Sequence, residues 1–183
     1  MNKIKDNVPN TLTIINLSLG IIAILFAVND KTNTDYLIPA SLLILVAALT
    51  DRFDGKIARK LNVTSELGKE LDSLADLISF GVAPTIIAWK ICFMHIGVGG
   101  YLLSLLFPIA GAYRLARYNS KSSENYFVGM PITLAGAFLA ITNIYSSFSE
   151  LNDRFSSINI IVTAVIIVLL SFLMISTIKF RKL

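Results

Sequence analysis

The sequence predicts an all-α membrane protein, a bundle of six transmembrane helices forming one domain over residues 1–183. Two observations lead to this fold class. The chain is 55% hydrophobic with a mean hydropathy of +0.70, which is more apolar surface than a soluble core of 183 residues can hide. Its apolar residues also fall into six runs, each near the roughly 20 residues that a helix needs to cross a bilayer.

The six runs share an apolar composition, and polar connections separate them. They lie near 12–28, 36–53, 73–94, 98–117, 128–148 and 157–178. The most polar connection, residues 54–72, lies between the second and third spans. We expect the second helix to continue past the membrane surface as far as Lys60. Thr64 or Ser65 can then cap the third helix, with Glu66 in its first turn.

Positive charges are concentrated on one side of the predicted membrane. With six spans, both termini and the even-numbered connections share a side, and that side holds every Lys and Arg except Lys31, Lys90 and Arg154. The positive-inside rule therefore places both termini and the 54–72 connection in the cytoplasm, in a multi-pass protein of the cell membrane. Topology explains the net charge of +4, and we expect no nucleic-acid binding.

Four aspartates lie close to that cytoplasmic connection: Asp51, Asp54, Asp72 and Asp76. The first pair is about 60° apart around the second helix, and the second pair is about 40° apart around the third. Because a short connection makes the two helices antiparallel neighbours, we expect the pairs to meet at the membrane boundary. Any one aspartate is compatible with a solvated helix end. Asp76 lies a turn deeper, however, where an ionisable group indicates function.

Carboxylates that converge in this way require cations. Two divalent ions would neutralise the four negative charges, which otherwise repel strongly at reduced dielectric. Oxygen ligands suit hard cations, so the sequence predicts Mg²⁺ or Mn²⁺, with two ions about 3.5–4 Å apart. Small residues beside the acids, Gly55, Ala58 and Gly68, leave room for a nucleotide or a neighbouring backbone. Arg59 can pair with the acids, hold a phosphate oxygen or anchor the helix at the membrane surface.

The acids and small residues follow one fixed spacing, in the order Asp51, Asp54, Gly55, Ala58, Arg59, Gly68, Asp72 and Asp76. This pattern resembles, at every position, the signature of the CDP-alcohol phosphotransferase family. The resemblance implies a six-helix membrane fold, commonly a homodimer, with an active site facing the cytoplasm. It implies that all four aspartates bind metal and that Asp76 is also the general base. The residues it implies around the CDP group are Asp54, Gly55, Ala58, Arg59 and Gly68.

Further segments resemble bacterial and archaeal members of that family whose acceptor is L-serine. They are residues 9–20, 70–84, 113–119 and 127–132. The resemblance implies CDP-diacylglycerol or CDP-archaeol as the lipid donor and L-serine as the acceptor. Glycerol 3-phosphate and inositol phosphate are the alternative acceptors, disfavoured because their dianionic phosphate calls for a more basic pocket. Met130 stands where Leu is expected, which is a change that conserves volume.

Candidate acceptor residues lie at the cytoplasmic end of the fourth helix. Arg114 and Arg117 are three residues apart on one face and can bind the serine carboxylate. Alternatively, each can serve only to keep this end of the helix in the cytoplasm, as the positive-inside rule describes. Asn119 is a further polar contact. Three polar residues of the first helix are assigned to the nucleotide side: Asn10, Thr13 and Asn16. Capping of the first helix explains Asn10 equally well.

The predicted reaction has Asp76 accept the proton of the serine hydroxyl while the oxygen attacks the β-phosphorus of the CDP-activated lipid, releasing CMP.

A divalent-cation transporter is the alternative from another class of protein. Its site should lie near the bilayer midplane between repeats with broken helices, whereas these acids lie at one boundary and the sequence has no internal repeat.

The single cysteine, Cys92, excludes an internal disulfide and a multi-cysteine metal site.

Overall fold

The computed structural model describes residues 3–29, 36–61, 66–120, 126–177 and 179–181, with side chains for 11–29, 36–52, 66–120 and 129–177. Within this part of the chain the architecture is helical, as predicted. The long helices are α1 (Lys3–Asn29), α2 (Leu37–Leu61), α3 (Glu66–Ile96), α4 (Val98–Ser120), α5 (Ile132–Leu151) and α6 (Ser157–Ile175).

Five helical segments are long and apolar enough to cross a membrane, namely Thr11–Asn29 of α1 and the whole of α3, α4, α5 and α6. The prediction of membrane helices is confirmed for these five. The apolar part of α2, residues 37–50, is shorter because this helix continues into the charged segment that starts at Asp51. A sixth span in α2 stays a prediction.

The central helix, α3, departs from α-helical winding at three places. It is α-helical over Glu66–Asp76 and Ala83–Ala88, π-helical over Leu77–Val82 and Trp89–Phe93, and ends in a 3₁₀ turn, Met94–Ile96. Pro84 lies just after the first π-helical segment, where its missing N–H interrupts the regular hydrogen-bond ladder.

Helix α3 is the most enclosed of the five candidate spans, and it contacts α1, α2, α4, α5 and α6. Its side chains Phe80, Ile87 and Phe93 are completely buried in the apolar core. Helix α2 packs against α1 on one side and α5 on the other. The bundle therefore holds the acidic start of α3 next to the polar end of α2.

A short antiparallel ladder joins the ends of two helices. Strand β1 (Tyr126–Val128) follows α4, strand β2 (Lys179–Arg181) follows α6, and Phe127 is paired with Phe180. The sequence predicted a span from residue 128, but α5 begins only at Ile132. The reason is local, because Gly129 has a φ of +78° and Pro131 (φ −59°, ψ 138°) is the N-cap.

Candidate active site

Three of the four predicted aspartates lie together at one end of the bundle. Asp51 of α2 and Asp72 and Asp76 of α3 each offer a carboxylate oxygen, and these oxygens all lie within 4.8 Å of one another. Asp51 and Asp72 are half-buried, and Asp76 is 8% exposed. We call this group the acidic cluster. The side chain of the fourth aspartate, Asp54, lies outside the described residues.

The local sequence explains why these acids converge. Helix α2 runs to Leu61, as predicted, and α3 begins at Glu66 with this acid in its first turn, where the helix dipole favours negative charge. Asp72 and Asp76 are one turn apart and so share a face of α3. The following residues, Leu77 to Val82, are apolar or small and embed the helix in the core, which draws Asp76 into the protein.

Two neutral side chains donate hydrogen bonds to this cluster. Thr133 Oγ1 of α5 donates to Asp51 Oδ2 at 3.1 Å, and Asn16 Nδ2 of α1 donates to Asp76 Oδ1 at 3.5 Å. Sequence reasoning had assigned Asn16 to the nucleotide side and had not selected Thr133. Its sequence signal is weak, because α5 also carries Thr142, Asn143 and Ser146, and only the position in the first turn sets Thr133 apart.

Arg114 is a buried cation beside the acids. Its side chain is 8% exposed, and its guanidinium carbon lies 5.6 Å from the centroid of the Tyr118 ring. The guanidinium is close enough to Asp76 for the two charges to attract. Its Nε is buried and has no hydrogen-bond partner among the described residues. The structure therefore presents a partly unpaired guanidinium next to the acidic cluster.

Arg117, predicted on the same face of α4, reaches a different target. Its guanidinium donates to the carbonyls of Ile175 at 2.8 Å, Ser176 at 3.2 Å and Met174 at 3.3 Å. These carbonyls end α6, where the helix dipole favours a cation. Gly129 lies against the same contact, where a Cβ would be 3.0 Å from Arg117 Nη2. Arg117 thus ties α4 to the end of α6.

The remaining predicted site residues are placed as follows. Asn119 donates to Ser73 Oγ at 3.0 Å and to Glu70 Oε1 at 3.4 Å, which joins α4 to α3. Thr13 is buried on α1 one turn before Asn16, and Gly68 is half-buried one turn before Asp72. The structure does not describe the side-chain positions of Asn10, Gly55, Ala58 and Arg59.

The acidic cluster fits a divalent cation. Its donor set consists of carboxylate oxygens, which hard cations such as Mg²⁺ and Mn²⁺ prefer. Carboxylates this close in a half-buried setting repel one another unless a cation or a proton compensates their charge. The neutral donors Thr133 and Asn16 orient two of the carboxylates without cancelling that charge. The choice of metal and the number of ions stay predictions.

Comparisons with known proteins point in one direction. A family model described as CDP-alcohol phosphatidyltransferase matches residues 6–178, which include the whole acidic cluster. A protein of Bacillus subtilis (strain 168) named CDP-diacylglycerol–serine O-phosphatidyltransferase is 36% identical over 174 residues, covering 94% of this chain and 89% of the relative. A protein of the same name from Helicobacter pylori (strain ATCC 700392 / 26695) is 35% identical over 178 residues, with coverage of 94% and 70%. An archaetidylserine synthase of Methanothermobacter thermautotrophicus is 33% identical over 180 residues, with coverage of 95% and 69%.

Proposed function

Because the chain belongs to the CDP-alcohol phosphatidyltransferase family, we propose that it is a phosphatidylserine synthase. It transfers the phosphatidyl group of CDP-diacylglycerol, or the diether equivalent of CDP-archaeol, to the hydroxyl of L-serine and releases CMP. The observation that carries this proposal is the acidic cluster with the buried guanidinium of Arg114 beside it. Relatives whose names specify a serine acceptor match over most of the chain and support it.

The acids divide the chemical work between them. Asp51, Asp54, Asp72 and Asp76 are the metal ligands in this proposal, and Asp76 also accepts the proton of the serine hydroxyl. A bound divalent cation supplies positive charge for the diphosphate of the donor and for the departing CMP. The remaining signature and helix α1 residues surround the CDP group: Asn10, Thr13, Asp54, Gly55, Ala58, Arg59 and Gly68.

Arg114 binds the serine carboxylate. A guanidinium presents parallel N–H donors that match a carboxylate, and the Tyr118 ring beneath it holds its plane. Burial of the cation strengthens the attraction, because less water competes for its donors. Arg117 is engaged by the carbonyls that end α6, so of these two arginines Arg114 is the one available near the acids. One such cation suits the single carboxylate of serine better than a dianionic phosphate. Asn119 is a further polar contact with the acceptor in this proposal.

The proposed topology is one domain with six spans, both termini in the cytoplasm and the active site facing the cytoplasm, in a homodimer. The distribution of Lys and Arg along the sequence supports this orientation. The acidic cluster lies where α2 leaves its apolar part and continues into a charged segment, which supports a position at a membrane boundary. Water-soluble serine can reach such a site while the lipid chains of the donor stay in the bilayer. A boundary position also argues against a cation pathway, whose binding site belongs near the midplane.

The proposal is tested with an acceptor panel. The detergent-purified protein is incubated with CDP-diacylglycerol, Mn²⁺ and one labelled acceptor: L-serine, glycerol 3-phosphate or inositol phosphate. We expect label to enter lipid from serine, in step with the release of CMP. Label that enters lipid only from a phosphorylated acceptor would refute the serine assignment while leaving the family's chemistry intact.

A further inference from the structure

Two neutral side chains outside the aspartate signature contact the acidic cluster from different helices. Thr133 comes from α5 and reaches Asp51, and Asn16 comes from α1 and reaches Asp76. Both of these helices pack against α2. Each donor therefore holds one carboxylate of the cluster from a different helix.

The backbone fixes the position of Thr133. The N-cap is Pro131, and Ala135 N donates to the Pro131 carbonyl at 3.0 Å, so Thr133 sits in the first closed turn of α5. A β-branched side chain has few rotamers in a helix, which limits where its hydroxyl can point. The hydroxyl donates to Asp51, 82 residues away in the sequence, and so links the start of α5 to α2.

Asn16 is held at least as firmly. Its side chain is fully buried, and Ser79 Oγ donates to its backbone carbonyl at 2.9 Å. A Cβ at Gly20 would collide with Ser79, so the glycine allows α1 and α3 to approach closely at this point. Ser79 is three residues beyond Asp76, and the contact therefore sets the position from which Asn16 reaches the acid.

Packing alone does not account for this amide. Asn16 Oδ1 is buried and has no hydrogen-bond partner in the part of the chain that the structure describes. A buried polar atom without a partner costs free energy, and leucine would fill a similar volume without that cost. A neutral donor has one advantage here over a lysine or an arginine, since it fixes the orientation of a carboxylate and leaves its negative charge available to a cation.

We propose that Thr133 and Asn16 are positioning residues of the active site. Thr133 holds Asp51 in the orientation in which it binds the cation, and Asn16 holds Asp76 in the orientation in which it accepts the serine proton. The part that concerns serine rests on the proposed function, whereas the part that concerns cation binding does not.

Thr133→Val tests the first half, because valine keeps the shape of threonine and removes the hydroxyl. Binding of Mn²⁺ to the substrate-free protein is measured from the paramagnetic resonance signal of the free ion. We expect affinity about tenfold weaker than wild type, the low end for loss of a group that orients a ligand, and Thr133→Ser should restore it to within about threefold. Thr142→Val is the matched control on the same helix, where the Thr142 hydroxyl donates to the Phe138 carbonyl. It should bind Mn²⁺ as wild type does.

Asn16→Leu tests the second half. At saturating serine and Mn²⁺ we expect kcat to fall about tenfold while the KM for serine changes less than about threefold, because the base is misplaced but the acceptor site is intact. Ser18→Ala is the control on the same helix, since the Ser18 hydroxyl donates to the Ile14 carbonyl within α1. It should retain the wild-type kcat.

The outcomes separate the two proposals. Wild-type protein that does not transfer serine, with Thr133→Val still impaired in Mn²⁺ binding, would contradict the proposed function and leave the positioning of Asp51 intact. Thr133→Val and Asn16→Leu proteins that bind Mn²⁺ and turn over like wild type would overturn the inference. If either variant melts far below wild type without metal, Thr133→Ala and Asn16→Ala replace them. Wild-type Mn²⁺ binding by Thr133→Ala, or a wild-type kcat in Asn16→Ala, would then overturn it.

Discussion

Polar side chains are buried at two places in this bundle, and the two places differ in charge. One is the acidic cluster, Asp51, Asp72 and Asp76, with its donors and Arg114. The other, which we call the neutral cluster, lies toward the opposite end of α3, α5 and α6, and comprises Cys92, Asn143, Ser146 and Thr163. Along α3 the two are marked by Asp76 and Cys92, which are 16 residues apart.

The neutral cluster is largely self-sufficient. Thr163 Oγ1 lies 3.5 Å from both Cys92 Sγ and Ser146 Oγ, and Asn143 Nδ2 donates to the Pro84 carbonyl at 2.8 Å. These contacts link α3, α5 and α6 in the way that small hydroxyl and amide groups hold membrane helices together. The acidic cluster has donors too, but Thr133 and Asn16 are neutral and do not offset the like charges of its carboxylates. In this bundle, converging charge is therefore a better guide to a candidate functional site than buried polarity.

The largest effect that this comparison predicts is at Asp76. Asp76→Asn removes the proposed metal ligand and general base, and we expect serine transfer to fall by about 10³-fold or more, measured as release of CMP. The metal-free protein should melt close to wild type, because a neutral amide relieves repulsion within the acidic cluster. Asn143→Leu, which removes a buried amide from the neutral cluster, is the comparison variant and should keep turnover within about threefold of wild type. Normal turnover in Asp76→Asn would remove the base from the mechanism.

The next effect concerns the acceptor. Arg114→Gln removes a charge-assisted hydrogen-bond pair worth about 1.5–3 kcal/mol, so we expect the KM for serine to rise roughly 10- to 100-fold. The KM for CDP-diacylglycerol should change little, since the lipid donor is held elsewhere. Arg154→Gln, at an exposed arginine in the connection between α5 and α6, is the control. If Arg117→Gln rather than Arg114→Gln raises the serine KM, the acceptor site has been assigned to the wrong arginine.

The sequence was informative where local spacing determines geometry. It predicted that α2 would run to about Lys60, that Glu66 would lie in the first turn of α3, and that Asp51 would meet Asp72 and Asp76. Each of these follows from helical periodicity and a short connection. The start of α5 was wrong because the φ of Gly129 and the N-cap geometry of Pro131 outweigh the apolar composition of residues 128–131.

Long-range partners could not be read in the same way. Periodicity places Arg114 and Arg117 on one face of α4, but it does not specify which neighbouring helix each side chain reaches. In the structure, Arg117 donates hydrogen bonds to carbonyls 57–59 residues away, whereas Arg114 lies beside Asp76. Thr133 was missed for the same reason, since the periodicity of α5 does not specify which of its hydroxyls reaches a partner 82 residues distant.

The smallest predicted effect lies in the neutral cluster and completes the comparison. Thr163→Val keeps the side-chain shape and removes the hydroxyl that Cys92 and Ser146 share. Interhelical hydrogen bonds within membranes contribute only about 0.6 kcal/mol on average, because the helices find other polar partners when they separate. We therefore expect a small loss of stability in detergent unfolding curves and turnover within about twofold of wild type. A larger loss of turnover would mean that the neutral cluster also serves the reaction, and charge would no longer separate the two regions.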